Sequence, residues 1–285
     1  MKNVKFSLVL VLLISCFFFS ASTQAQTNVL DGVYVKEHSP ERKVIPYTYL
    51  READVQWARR IWRRIDLREK KNHPLYFPIE KINNRKSIIQ VVLDGILVDG
   101  TITAYDGIDD EFKKQLTQSE VQALLAGKVD TQYVDDPENP GNLIPKVINN
   151  PFKPESIKKI DIKEDWFFDK QRSVLDVRIV GMCFLLDVIE EDGVTVRGQK
   201  PLFWVYFPEA RYVFANSEVF NRNNDSERRT HEDIFWKRDF SSFVLKESNV
   251  YDRYINAYKT GMDALLEAEK IKEGIFNYEH DMWEY

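Results

Sequence analysis

Residues 160–186 have the sequence IDIKEDWFFDKQRSVLDVRIVGMCFLL, and this stretch decides the fold. Apolar residues recur at every second position on both sides of the polar residues 169–171. A period of two is typical of β-strands that have one buried face. We therefore predict two antiparallel strands joined by a turn at residues 169–171. The alternating positions are Ile160, Ile162 and Trp166 in the first strand and Leu175, Val177, Ile179 and Cys183 in the second.

Strand patterns continue on both sides of this hairpin. A turn at residues 190–193 separates it from strand-like segments at residues 194–196 and 202–207, and a short strand is predicted at residues 101–105. Residues 202–207 are apolar on both faces, so both faces need cover, from helices of this chain or from another subunit.

Apolar residues at helical spacing surround the strands. They predict helices over residues 52–67, 87–98 and 251–272, and Thr117 and Thr230 each begin a short helix as an N-cap residue. The fold class is therefore α+β, with an antiparallel meander sheet in the middle of the chain and helices before and after it. The helix over residues 52–67 rests on Val55, Ala58, Ile61, Trp62 and Ile65.

The N-terminus has the pattern of a secretory signal peptide. Lys2 and Lys5 precede an apolar run over residues 6–19, and small residues lead to Ala25, after which we expect cleavage. The run is shorter than the roughly 20 residues that span a bilayer as a helix. The alternative is a lipoprotein signal with Cys16 as the acylation site, but the apolar run continues past Cys16, which favours soluble export.

Four segments follow from these patterns. We predict a signal peptide (1–25), an extended N-terminal arm (26–47), an α+β core domain (48–250) that contains a long loop at 130–154, and a C-terminal helix and tail (251–285). The loop contains five prolines, and loops of that length are usually functional or mobile.

Composition excludes several classes of protein. The 285 residues include 40 Lys and Arg against 45 Asp and Glu, a net charge of −5 that offers no electrostatic reason to expect nucleic acid as a partner. The chain has two cysteines, and removal of the signal leaves Cys183 alone, which excludes a disulfide-stapled scaffold. Because 44% of the residues are apolar, global disorder is also excluded.

No pattern of catalytic, cofactor-binding or metal-binding residues emerges. Gly95 and Gly100 have the spacing of a phosphate loop, but Thr101 stands where the lysine belongs. The triplet at 231–233, His-Glu-Asp, reads as a helix cap rather than a site, because consecutive helical residues do not share a face. Cys183 alternates with buried apolar positions, which predicts an inert thiol rather than a nucleophile acting with His231.

One basic cluster stands out in this acidic chain. On the predicted helix over residues 52–67 it has two interpretations: a solvated face whose arginine stems cover apolar surface, or a docking face for an acidic partner, since Arg and Trp are enriched at the energetic centres of interfaces. The candidate interface residues are Trp57, Arg59, Arg60, Arg63, Arg64 and Arg68.

Aromatic residues are concentrated after Pro201. Core packing is the default for such rings on strands, and a binding groove is the alternative. The rings are Phe203, Trp204, Tyr206, Phe207, Tyr212, Phe214, Phe220, Phe235, Trp236, Phe240 and Phe243.

Several segments together resemble the GldN/PorN family and cover most of the chain beyond the signal. The strongest is VIPYTYLREADV at residues 44–55, continued by Trp57 and by residues 61–63, 65–70 and 74–78. Further similarity lies at residues 102–106, 164–169 and 204–211, and the stretch 232–253 resembles the family's C-terminal signature.

The resemblance implies a non-enzymatic component of the type IX protein secretion and gliding motility machinery. Such proteins are periplasmic, associate with a GldK/PorK-type outer-membrane lipoprotein in rings beneath the outer membrane, and contact a GldM/PorM-type inner-membrane motor protein. We accordingly expect self-association, no cofactor, and attachment to the outer membrane only through the lipoprotein. The alternatives are a periplasmic hydrolase and an aromatic-lined module that binds a solute or glycan.

Overall fold

The structure is a computed structural model of the chain, and it describes residues 42–82, 84–126, 129–135, 143–149, 152–189, 196–224 and 226–282. The predicted signal peptide, most of the predicted arm and the predicted turn at residues 190–193 lie outside these residues. The described residues form a mixed α+β fold, as the sequence predicts.

A seven-stranded antiparallel sheet organises the fold. Its strands, in order across the sheet, are β11 (Phe243–Glu247), β1 (Val55–Asp66), β6 (Ile157–Asp169), β7 (Val174–Ile189), β8 (Val196–Tyr206), β2 (Ala104–Asp106) and β3 (Gln115–Leu116). The central strands β6, β7 and β8 pair antiparallel in sequence order and confirm the predicted meander.

Two small two-stranded sheets complete the β structure. The first pairs β4 (Val129–Asp135) with β5 (Leu143–Asn149), so strands occupy much of the segment expected to be a long loop over 130–154. The second pairs β9 (Glu218–Val219) with β10 (Arg229–Thr230).

The helix predicted over residues 52–67 is wrong. A short 3-10 turn at Glu52–Asp54 leads instead into β1, which lies between β6 and β11. The apolar residues of β1 have a spacing that is compatible with a helix and with a strand. In the strand, Ile61 and Ile65 lie on one face of the sheet, while Trp62 is buried on the opposite face. The choice between helix and strand was made by tertiary pairing, because two flanking strands satisfy the backbone of a segment rich in β-favouring Ile and Trp.

Five helices pack against one face of the sheet, and their apolar side chains form the main core together with that face. They are α1 (His73–Tyr76), α2 (Ile88–Leu97), α3 (Gln118–Leu125), α4 (Phe207–Ala215) and α5 (His231–Trp236). The predicted caps are confirmed, since the Thr117 and Thr230 hydroxyls accept from the backbone N–H groups of Glu120 and Asp233. The helix predicted at 87–98 is also confirmed as α2, with Ser87 as its N-cap.

A sixth helix, α6 (Met262–Asp281), begins later and ends later than the one predicted at 251–272. Gly261 precedes it with a φ of +59°, a backbone conformation that favours glycine, and a separate 3-10 turn occupies Ile255–Ala257. Ile271 and Ile275 of α6 pack with Ile61 and Val244 on the sheet.

Residues of β8 are buried from both sides, as the double-sided apolar pattern predicts. Leu202 and Val205 lie in the main core, while Trp204 lies in a smaller cluster on the opposite face with Trp62 and Cys183. Cover on both faces comes from this chain itself.

Gly181 of β7 allows an aromatic cap to close over this smaller cluster. The ring of Phe112 lies directly against the glycine and makes edge contacts with Tyr105, Trp204 and Tyr206. Phe112 itself has a φ of +58°, so a strained backbone position holds this ring in place.

Gly181→Ala should therefore destabilise the fold by about 1–3 kcal/mol, because the added methyl group overlaps the Phe112 ring and lies 3.1 Å from the carbonyl oxygen of Val205. Gly198→Ala in β8 is the matched control, since a methyl group there has no atom within 4 Å. Urea unfolding of both variants measures the difference, and equal midpoints would contradict this account of Gly181.

Candidate interaction surface

The candidate interface residues do not share one surface. Because β1 is a strand, Trp57, Arg59 and Arg63 lie on the face that α6 covers, and Arg60 and Arg64 lie on the other. Arg68 lies beyond the end of the strand. The docking face expected on a helix is therefore divided by the sheet.

Arg60 and Arg64 form ion pairs across to β6. Asp165 is directly opposite Arg60 and accepts from its guanidinium at 2.6 and 2.9 Å, and Asp161 opposite Arg64 accepts at 2.6 and 2.8 Å. Arg64 also donates to the side chain of Gln199 at 2.6 Å. Burial raises the pKa of Asp161, and the hydrogen bonds from Arg64 oppose that rise. These arginines thus bind neighbouring strands.

The other members of the cluster also have partners within the chain. Trp57 stacks on Tyr278 of α6, with ring centroids 4.6 Å apart, so it holds that helix on the sheet. The remaining partners are Glu247 for Arg59, Ser242 for Arg63 and Asp66 for Arg68.

Arg64→Glu should cost about 3 kcal/mol of folding stability, because it places a second carboxylate against the half-buried Asp161. Arg60→Glu is the matched control and should cost about 1 kcal/mol or less, since its ion pair is more exposed. The side chains are 18% and 14% exposed in the Arg64–Asp161 pair, against 43% and 36% in the Arg60–Asp165 pair. Equal shifts in the urea midpoint would show that burial does not separate the two pairs.

The residues His231, Glu232 and Asp233 serve the fold. Asp233 caps α5 through Thr230, and Glu232 accepts a hydrogen bond from Arg211 at 2.8 Å. The ring of His231 is fully buried, and its Nδ1 lies 3.3 Å from the carbonyl oxygen of Ser217. Burial lowers the pKa of His231 to about 4. Its other ring nitrogen has no hydrogen-bond partner among the described residues.

The stability of the protein should consequently fall as the pH drops from 6.5 to 4. In that window His231 is protonated in the unfolded chain but not in the folded chain. The free energy of unfolding therefore falls by about 3 kcal/mol. His231→Phe removes the titration, and the ring has Phe214 as a neighbour. Unfolding free energies of both proteins at several pH values test this, and parallel curves would refute it.

Cys183 and most of the aromatic residues after Pro201 lie in the core. Burial raises the pKa of the Cys183 thiol well above its usual value, as expected for an inert cysteine. Phe203 and Trp204 are buried, whereas Tyr206 is exposed. These rings therefore do not form the continuous exposed groove that the solute-binding alternative requires.

A cavity of about 500 Å³ lies on the face of the sheet opposite the main core. Its charged groups are Arg64 and Asp161, which bind each other, Lys246, which lies 2.8 Å from the carboxylate of Asp252, and Asp110, which lies 3.5 Å from Lys163. Since these charges are matched within the chain, the cavity has no strong preference for an ion of either sign.

A second, mainly apolar depression of about 600 Å³ lies beyond the C-terminal end of β1, and we call it the groove. Phe77, Ile79, Ile82 and Phe220 line it and are each 40–58% exposed. The sequence pattern did not identify it, because the first three residues and Phe220 are far apart in the chain. The only local signal was apolar residues in a segment without a regular period.

Comparison with known families identifies the chain. A family model described as gliding motility associated protein GldN matches residues 50–284. The chain belongs to the GldN family. No curated protein matches it.

GldN membership makes the chain a component of the gliding motility and type IX secretion machinery, as the resemblance predicts. Proteins of this family are generally non-enzymatic parts of that cell-envelope machinery. In the part of the chain that the structure describes, none of the helices has the length and apolar character needed to cross a membrane.

Proposed function

We propose that this GldN protein is a non-enzymatic structural subunit that assembles with a GldK/PorK-type lipoprotein into a periplasmic ring beneath the outer membrane. It also contacts the GldM/PorM-type inner-membrane protein, and the lipoprotein alone attaches it to the outer membrane. The observation that supports this role best is the groove, where four large apolar side chains remain exposed beside a well-packed core. Exposed apolar clusters of this kind mark sites of association.

The use of the reactive side chains also supports a structural role. His231 and Cys183 are buried, and the β1 arginines bind groups of the same chain. Together with family membership, this favours a building block over the hydrolase and solute-binding alternatives.

The described end of the arm is anchored to the core. Arg42 forms two hydrogen bonds to Asp233, at 2.8 and 2.9 Å, and Arg211 donates to the carbonyl oxygen of Ile45 at 2.7 Å. Tyr47 lies between the guanidinium groups of Arg211 and Arg178, 4.2 and 5.0 Å from its ring centre. We propose that residues 26–41, which precede this anchor, bind the lipoprotein.

Deletion of residues 26–41 should leave the melting temperature unchanged, because the anchor stays intact, while co-purification with the lipoprotein from detergent-solubilised envelopes is lost. A variant with the same 26–41 composition in scrambled order is the matched control for arm length and should also fail to bind. Normal recovery of the lipoprotein with either variant would refute the role of the arm. Failure of the wild-type chain to recover it would refute the proposed function.

A further inference from the structure

The groove has a basic rim. Lys81, Arg85 and Arg222 stand at its edge against Glu80, which leaves a local charge of +2 in a chain of net charge −5. The guanidinium of Arg85 lies 5.3 Å from the centre of the Phe220 ring, and Arg222 donates to the carbonyl oxygen of Lys70 at 2.7 Å. Among the described residues no carboxylate forms an ion pair with Arg85 or Arg222. The rim therefore offers positive charge to a partner.

Helix α6 has a second apolar face that nothing in the described chain covers. Ala268, Ile271 and Ile275 face the sheet. At 100° per residue, four side chains that are 54–70% exposed lie along the opposite side and one adjoining flank of the helix. They are Met262, Leu265, Leu266 and Phe276, and we call them the ridge.

The ridge carries the charge that the groove lacks. Glu269 and Glu273 lie on the same side of α6, between Leu266 and Phe276 along the helix. Glu269 pairs with Lys272 of the same helix at 2.9 Å, whereas Glu273 has no ion pair among the described residues and is the carboxylate that faces a partner. Over its whole length α6 has six carboxylates and two lysines, a charge of −4 with His280 neutral. The ridge is thus apolar with acidic residues at its centre, and the groove is apolar with basic residues at its rim.

The two surfaces lie at different parts of β1. Trp57 and Ile61, in the first half of the strand, hold α6, whereas the groove lies beyond Asp66 at its end. Helix α6 therefore stays packed on β1 of its own chain, through the stack of Tyr278 on Trp57, while its ridge faces outward. Contact between two different surfaces of identical chains is heterologous, so each copy can engage two neighbours, and the series closes into a ring when the rotation permits.

We infer that the groove of one copy receives the α6 ridge of a second copy of this chain. This inference rests on the proposed function and specifies the contact through which the subunits of the ring associate. The leucines of the ridge bury their side chains against Phe77, Ile82 and Phe220, while Glu273 pairs with the arginines of the rim. Apolar anchors surrounded by matched charges are the usual energetic centre of an interface.

The test uses the full chain purified from the periplasm after export, with mass measured by sedimentation velocity over a range of concentrations. Wild type should form oligomers. The ridge variant, Leu265→Ser with Leu266→Ser, and the groove variant, Ile82→Ser with Phe220→Ser, should each weaken association about 30-fold or more. Circular dichroism confirms that each variant is folded. The matched control replaces Ile108 and Val250, two exposed apolar residues outside both surfaces, with serine and should assemble like wild type.

Mixing the variants tests the polarity of the contact. The ridge variant keeps its groove and the groove variant keeps its ridge, so an equimolar mixture should form dimers and stop there. Charge reversal supplies a second test that leaves the core untouched: Arg222→Glu should weaken association, and Glu273→Lys in the same chain should restore it.

Monomeric wild type up to its solubility limit, or ridge and groove variants that assemble like wild type, would overturn the inference. Retention of the lipoprotein by wild type alongside either result would leave the proposed function standing. If the ridge and groove variants self-associate normally but lose the lipoprotein or bind detergent differently, the groove serves another occupant and the inference is wrong.

Discussion

The pairing of β1 with both β6 and β11 is the constraint on which the rest of the structure depends. Residues 61–64 of this strand pair on both sides, and Ile61, Trp62 and Ile65 then belong to three different apolar clusters. The strand thereby joins the main core, the layer beneath α6 and the opposite face of the sheet. Its arginines follow from this position, because alternate side chains must point to opposite faces.

The arginines of β1 pair mainly with other strands of the sheet. The carboxylates of β6 lie opposite the arginines of β1, so a segment that is basic in sequence becomes electrostatically matched in the fold. Cross-strand ion pairs of this kind stabilise the pairing of neighbouring strands. Beside the groove, Arg85 and Arg222 have no ion pair among the described residues, and no periodic pattern in the sequence connects them.

Elements governed by local rules were predictable. The caps at Thr117 and Thr230 satisfy backbone groups within one helical turn, and the alternation around residues 169–171 places one strand face in the core whatever lies nearby. The segment over residues 52–67 was not predictable in the same way. Its apolar positions suit a helix and a strand alike, and the decision depends on strands more than 90 residues further along the chain.

The α+β class, the central meander, the burial of Cys183 and membership of the GldN family could all be inferred from the order of residues alone. These features depend on the order of residues within short stretches of the chain, and the neighbours of each residue in such a stretch are known from the sequence. By contrast, long-range contacts in the folded chain make β1 a strand, pair its arginines with carboxylates and bring Phe77 and Phe220 into one groove. These features depend on which distant segment pairs with a backbone group, neutralises a charge or covers an apolar face. Such contacts form only when the chain folds.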